Sequence, residues 1–168
     1  MAEVNKKGNV LHTVGELPSL GSKAPDASVA KKDLSDLSIH SLKGKKVILN
    51  IFPSIDTAVC AMSVRKFNAE AAKLDDTVVL CISADLPFAH ARFCGAEGIE
   101  NVESLSSFRS DFGQSYGVTL ADSAMKGLLA RAVLVLDRDS VVRHVELVSD
   151  IGIEPDYSAA IEAVKSIA

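Results

Sequence analysis

The stretch Lys46-Val-Ile-Leu-Asn-Ile-Phe52-Pro53-Ser-Ile-Asp-Thr57-Ala-Val-Cys60 decides the reading of this chain. Residues 46–52 are a largely apolar, β-branched run with Gly44 before it and Pro53 after it, the pattern of a strand covered on both faces. Beyond it the period becomes helical. Val64, Phe67, Ala71 and Leu74 recur on one face of a helix expected over 57–74, with Arg65, Lys66, Asn68 and Lys73 between them. Strand, proline turn and amphipathic helix in succession open an α/β unit, and Cys60 stands near the start of its helix.

Further elements follow on either side. Thr77 to Ser83 (TVVLCIS) reads as a second buried strand. Pro87 suits the first turn of a helix running to Phe93 or beyond, with Gly95 and Gly98 ending it. Val102 to Leu105 is a short strand, and Asp111 to Tyr116 a helix stopped by Gly117. Arg131 to Leu136 (RAVLVL) is a third apolar strand, joined by a turn at Asp137–Ser140 to Val141–Val148 as a hairpin. Pro155 opens a last helix with Tyr157, Ile161 and Val164 on one face. Upstream, residues 9–14 are strand-like, and residues 1–14 are expected to form a β-hairpin or extension. Leu34, Leu37 and Ile39 are too loosely spaced to separate strand from coil. The expectation is a single domain over 1–168 of the α/β class, a mixed central sheet with helices on both faces.

Composition narrows the function. The 168 residues are 48% hydrophobic and 24% charged with net charge −4, so neither a disordered chain nor a nucleic-acid or anionic-membrane footprint is indicated. No apolar run is long enough for a membrane span, and the polar Met1–Gly8 is not followed by a signal-peptide core. A reducing cytoplasm is therefore expected, where cysteines more often do chemistry than staple a fold. Three cysteines allow at most one intramolecular bridge and leave one thiol over. The four histidines show no zinc spacing, and no Cys-x-x-Cys or glycine-rich phosphate loop occurs. No cofactor is expected, and electrons must come from a partner protein or a small thiol.

A thiolate at a helix N-terminus is stabilised by unpaired N–H groups and the helix dipole. Thr57 can cap the helix and bring its hydroxyl near the Cys60 sulfur, while Pro53 stiffens the turn. Position alone leaves Cys60 balanced between a reactive thiol and a small buried hydrophobe. Cys81, between Leu80 and Ile82, reads as core. His90, four residues before Cys94, reads as a solvated surface side chain able to tune that sulfur.

The spacing Pro53-x-x-x-Thr57-x-x-Cys60 resembles the active-site motif of the peroxiredoxins, peroxidases on a thioredoxin-like fold. Residues 50–57 with Cys60 and 63–68 (SVRKFN), residues 79–88 (VLCISADLPF), Arg92-Phe-Cys-Gly-Ala-Glu-Gly98 and Glu154-Pro-Asp-Tyr157 are similar to the bacterial thiol peroxidase subfamily, of the atypical two-cysteine type. The resemblance runs from about Gly15 onward. It implies that Cys60 attacks hydrogen peroxide or an organic hydroperoxide and becomes a sulfenic acid, and that Cys94 resolves it as an intramolecular disulfide. It further implies that Thr57 hydrogen-bonds sulfur and peroxide, that Pro53 shields the sulfenate, and that Arg131 holds the sulfur anionic. Alone, Arg131 reads as a strand-end surface charge. Thioredoxin is the implied reductant and a homodimer the implied assembly. If the fold separates the two sulfurs, a local unfolding step is expected in each cycle. Phe52, Leu86, Phe88, Ile151 and Ile153 could form an apolar collar for alkyl hydroperoxides. The competing reading is a peroxide sensor or relay that uses the same cysteines without turnover.

Overall fold

Alternation along one strand accounts for the layering. In β5 (Lys46–Ile51), Val47, Leu49 and Ile51 face one side of the sheet, while Ile48 and Asn50 face the other. The structure, a computed structural model, describes all 168 residues. In chain order the other elements are β1 (Glu3–Lys6), β2 (Asn9–His12), β3 (Ser28–Ala30), β4 (Asp36–Ser38), α1 (Ala58–Ala71), β6 (Thr77–Ser83), α2 (Pro87–Glu97), β7 (Glu103–Ser106), α3 (Phe112–Ser115), β8 (Ala132–Leu136), β9 (Val142–Leu147) and α4 (Tyr157–Lys165).

Seven strands make one sheet in the order β4-β3-β7-β6-β5-β8-β9, and β1 pairs with β2 in a separate antiparallel hairpin. β5, β6 and β7 run parallel, whereas β8 is antiparallel to β5 and β9 to β8. This is the mixed α/β sheet of the thioredoxin-like fold, with a short N-terminal extension. Two cores of 18 buried residues each sandwich the sheet. Helices α1, α2 and α4 cover one face through Val64, Phe67, Phe93, Ile161 and Val164. The other face is closed by Phe112 and Tyr116 around α3, and by Ile39 in a 3₁₀ turn. Each fully buried aliphatic or aromatic side chain contributes about 1.5–3 kcal/mol.

The boundaries differ from expectation at informative places. α1 begins at Ala58 and ends at Ala71, short of Leu74, before Asp76 turns through φ +53°. Gly95 lies inside α2; the stop is Gly98, left-handed at φ +66°, with the Ile99 N–H donating to the Cys94 carbonyl. Pro155 precedes α4, whose N-cap is Asp156, accepting from the Ala159 N–H at 3.0 Å. The Leu34–Ile39 region contains β4, paired to a three-residue β3 that carried no readable period.

Candidate active site

Three chain segments meet at Cys60. The first is the turn after β5, which delivers Thr57 in extended conformation (φ −112°, ψ 150°) to the N-cap of α1. Its side chain does not cap the helix. The hydroxyl donates instead to the Ser54 carbonyl at 2.9 Å, which tightens the Pro53–Thr57 loop. The second is the strand β8. The register pairs Ile51 with Ala132, so Arg131 comes beside Phe52 at the mouth of that loop. The third is the segment after β9, whose Ile151 carbonyl accepts from Arg131 Nε at 3.0 Å and from Nη2 at 2.7 Å.

These bonds aim the guanidinium. Nη2 also lies 3.3 Å from Cys60 Sγ, and Nη1 is buried with no protein acceptor. Arg131 is only 2% exposed and Cys60 fully buried, so the expected surface charge is in fact a buried cation against sulfur. A guanidinium keeps its proton, so this donor is permanent.

Arg131 lines a cleft of about 230 Å³ together with Pro53, Thr57, Val59, Met125 and Ile151, while Cys60 is fully buried and not part of its wall. Lys6, Lys7, Ala58, Asp150 and Gly152 complete the lining. Lys6, Lys7, Met125 and Asp150 escaped the sequence reading because they arrive from segments distant in the chain. Gly8 is the one local signal in the sequence, and in the structure Lys7 and Gly8 both take positive φ, making a tight hairpin turn at the cleft. Of the proposed apolar collar, only Ile151 lines the cleft. Phe52 is core, and Leu86, Phe88 and Ile153 are half or more exposed. A larger cavity of about 470 Å³ lies by Asp137, Arg138 and the C-terminal residues, but no cysteine lines it, so size does not mark the site.

All three thiols are free and buried. Cys94 sits on α2 with its sulfur 3.3 Å from Ser104 Oγ, and is not bonded to Cys60. Cys81 is fully buried in β6, and burial pushes its thiol up to about 12. Asn50 links this region: its Nδ2 donates to Ser63 Oγ at 3.1 Å and approaches Cys81 Sγ at 3.6 Å, and Ser63 Oγ donates to the Cys60 carbonyl at 2.7 Å. An asparagine inside an apolar strand was the available signal for that link. His90 departs from the surface expectation. It is 1% exposed, with Nε2 3.0 Å from Ser83 Oγ and its ring edge-on to Phe52.

The motif Arg92–Gly98 acquires a physical account as a unit. Arg92 pairs with Asp56 and Glu97 with Arg65, both at 2.5 Å, while Arg65 also lies over the Phe93 ring. These contacts fasten α2 to α1 and its leading loop.

Comparison with known proteins identifies the family and the fold. The Redoxin family model matches residues 19–161. The thiol peroxidase of Mycobacterium tuberculosis is 54% identical over 164 residues, 98% of this chain and 99% of that protein. The thiol peroxidase of Corynebacterium glutamicum is 51% identical with the same coverage. A peroxiredoxin-like protein from Aquifex aeolicus superposes with a TM-score of 0.95 at 38% identity, over 100% of this chain and 98% of that one. A thiol peroxidase from Chromobacterium violaceum shares the fold, with a TM-score of 0.89 at 20% identity over 97% and 95% of the two chains. No helix is long and apolar enough to cross a membrane. From the family model and the full-length relatives, the chain belongs to the Redoxin family, in the thiol peroxidase branch of the peroxiredoxins.

Proposed function

We propose that this single-domain thiol peroxidase reduces hydrogen peroxide and organic hydroperoxides through Cys60, resolves the product with Cys94, and is recycled by thioredoxin. The observation that carries the reading is the Arg131 guanidinium, 3.3 Å from Cys60 Sγ, with Nη1 unpartnered and the residue itself part of the cleft wall. The cation favours negative charge on the sulfur, and its free donor is available to a peroxide oxygen. The thiolate attacks the terminal peroxide oxygen, and the O–O bond breaks. The alkoxide or hydroxide that leaves takes a proton, and Cys60 becomes a sulfenic acid.

The apolar walls at Pro53, Val59, Met125 and Ile151 suit an alkyl group, which supports organic hydroperoxides beside hydrogen peroxide. Pro53 shields the sulfenate, and Thr57 orients the peroxide once its hydroxyl leaves the Ser54 carbonyl. The Cys94 thiol then attacks the sulfenic sulfur, forming the Cys60–Cys94 disulfide and releasing water. Because each thiol is buried under its own helix, this step requires α2 to open locally. A dithiol of thioredoxin reduces the disulfide. Leu86 and Phe88, 50% and 65% exposed at the start of α2, supply apolar surface for a homodimer in the cytoplasm.

The test is the mass of the reduced protein before and after one equivalent of cumene hydroperoxide. Loss of two hydrogens mapped to Cys60 and Cys94 is expected, with sustained turnover when thioredoxin and its reductase are added. Cys60→Ser should abolish peroxide consumption. Activity of that variant at the wild-type rate would overturn the assignment. A single stoichiometric oxidation without turnover would favour a relay.

A further inference from the structure

α2 carries Cys94, and its first turns are tied to the loop leading to Cys60 by a chain of hydrogen bonds centred on Asp85. The Asp85 carboxylate accepts from Ser83 Oγ at 2.5 Å, from Ser54 Oγ at 2.8 Å and from the Ile55 N–H at 2.7 Å. Ser54 and Ile55 belong to the Pro53–Thr57 loop. On the other side, Ser83 Oγ lies 3.0 Å from His90 Nε2 in the second turn of α2.

The proton positions in this chain can be derived. A serine hydroxyl has one proton, and the carboxylate at the shorter distance is the stronger acceptor. Ser83 Oγ therefore accepts from His90, which requires the Nε2–H tautomer. Nδ1 then carries only a lone pair, in agreement with its burial and its lack of any protein partner. Protonation would add a charge to a ring buried among apolar side chains, and the Leu105 backbone nearby compensates for only part of that cost. Burial accordingly pushes His90 below its ordinary value. The charged groups facing the ring are Asp85 after β6, Asp56 in the Cys60 loop and Lys32 between β3 and β4. The two carboxylates and the Leu105 backbone favour the cation, whereas burial, the largest influence, and Lys32 oppose it.

Two further polar ties join α2 to α1 and its leading loop, and both are weaker. The Arg92–Asp56 and Arg65–Glu97 pairs are solvent-exposed, and such pairs contribute roughly 0–1 kcal/mol and fade with salt. We propose that the Asp85–Ser83–His90 chain is the positioning device for the resolving thiol, holding α2 closed over Cys94 and releasing it with proton uptake by His90. This rests on the roles given above to Cys60 and Cys94. The open form binds one more proton than the closed form below the ordinary histidine range, so acid favours opening. The covalent step is unchanged: Cys94–SH and Cys60–SOH give the disulfide and water, with no further reductant.

The test uses the full-length reduced protein mixed rapidly with one equivalent of cumene hydroperoxide, quenched and mapped by mass. Sulfenic acid and disulfide formation are timed separately, for wild type, Ser83→Ala and His90→Gln. Cys60 oxidation should stay within about twofold of wild type in both variants, since neither touches the sulfur. Ser83→Ala should form the disulfide about five- to tenfold faster, the effect of losing a typical buried hydrogen bond. His90→Gln keeps a donor toward Ser83 but cannot titrate. The ratio of wild-type to His90→Gln disulfide rates should therefore rise as pH falls from about 7.5 to about 5.5, through the ordinary histidine value. Titration of Cys94 itself is common to both proteins and cancels in that ratio. A flat ratio, or Ser83→Ala closing its disulfide no faster than wild type, overturns the proposal. Failure of wild-type Cys60 to oxidise, or a disulfide mapped to other cysteines, instead overturns the functional reading on which it rests.

Discussion

α1 and α2 bring Cys60 and Cys94 to the same face of the sheet, but different forces hold the two helices there. α1 buries Cys60, Ala61, Val64 and Phe67, and Phe67 meets Tyr157 of α4 edge-on with centroids 5.2 Å apart. That anchoring is apolar area, which water cannot replace. α2 buries His90 and Cys94 beside Phe93, and its other ties are hydrogen bonds and exposed ion pairs. Water substitutes for such contacts at small net cost. The proposed nucleophile thus stands on a rigid element, and the proposed resolving thiol on one whose fastenings are exchangeable.

The most severe way to break this contrast is at the guanidinium. Arg131→Gln should slow Cys60 oxidation by about 10²–10³, the effect of losing one preorganised charge-stabilising donor. Stopped-flow rates with cumene hydroperoxide read this directly, and a loss under about tenfold would remove the cation from the account of the site.

Next comes the packing difference. Phe67→Ala should lower global stability by about 3–5 kcal/mol, as fully buried phenylalanines do. Phe93→Ala, at a slightly exposed position in α2, should lower it less and concentrate the change in residues 87–97. Urea unfolding with amide exchange compares them. Equal global losses without local exchange in α2 would erase the distinction.

A smaller effect sharpens it. Gly95 lies inside α2 with open space where a Cβ would stand. Gly95→Ala should stabilise the helix by about 0.5–1 kcal/mol and slow the disulfide step about two- to fivefold. A faster disulfide step in this variant would contradict the need for α2 to open.

The smallest effects are in pH, where two histidines act with opposite signs. His12 is raised by its hydrogen bond to Asp122. The stability it adds is present below the ordinary histidine value and is lost as pH rises through the elevated folded value. His90 is lowered by burial, so its contribution is present above the ordinary value and fades as pH falls toward the depressed one. Acidification through pH 6 should therefore lower amide protection, relative to the intrinsic exchange rate at each pH, in residues 87–97 and raise it in residues 3–12. Parallel changes in both segments would show that the histidines do not control them.

Much of this was legible because the strongest patterns are local. The continuous apolar runs gave β5, β6 and β8, and the 3.6-residue period gave α1. Three-residue strands such as β3 carry no period, so the β3–β4 edge escaped. Thr57 illustrates a subtler failure. Residue type put a capping hydroxyl at the correct position, yet the Ser54 carbonyl competes for it in the folded loop. His90 was misread as surface because burial depends on what β6 and the Cys60 loop bring to it, and Ser83 and Asp85 are neutral signals until those segments meet.

By itself, the sequence determined the alternation of strands and helix, the placement of Cys60 at a helix start and the family. The first two follow from periods and spacings shorter than about twenty residues, which any compact arrangement of the chain must respect, and the family from a resemblance carried by motifs spread from about Gly15 onward. Only the tertiary structure decided that Arg131 reaches Cys60, that Lys6, Met125 and Ile151 share one cleft, and that His90 is buried on Ser83. Those contacts join residues far apart in the chain. Strand register and the energy of burial select them, and no local pattern encodes either.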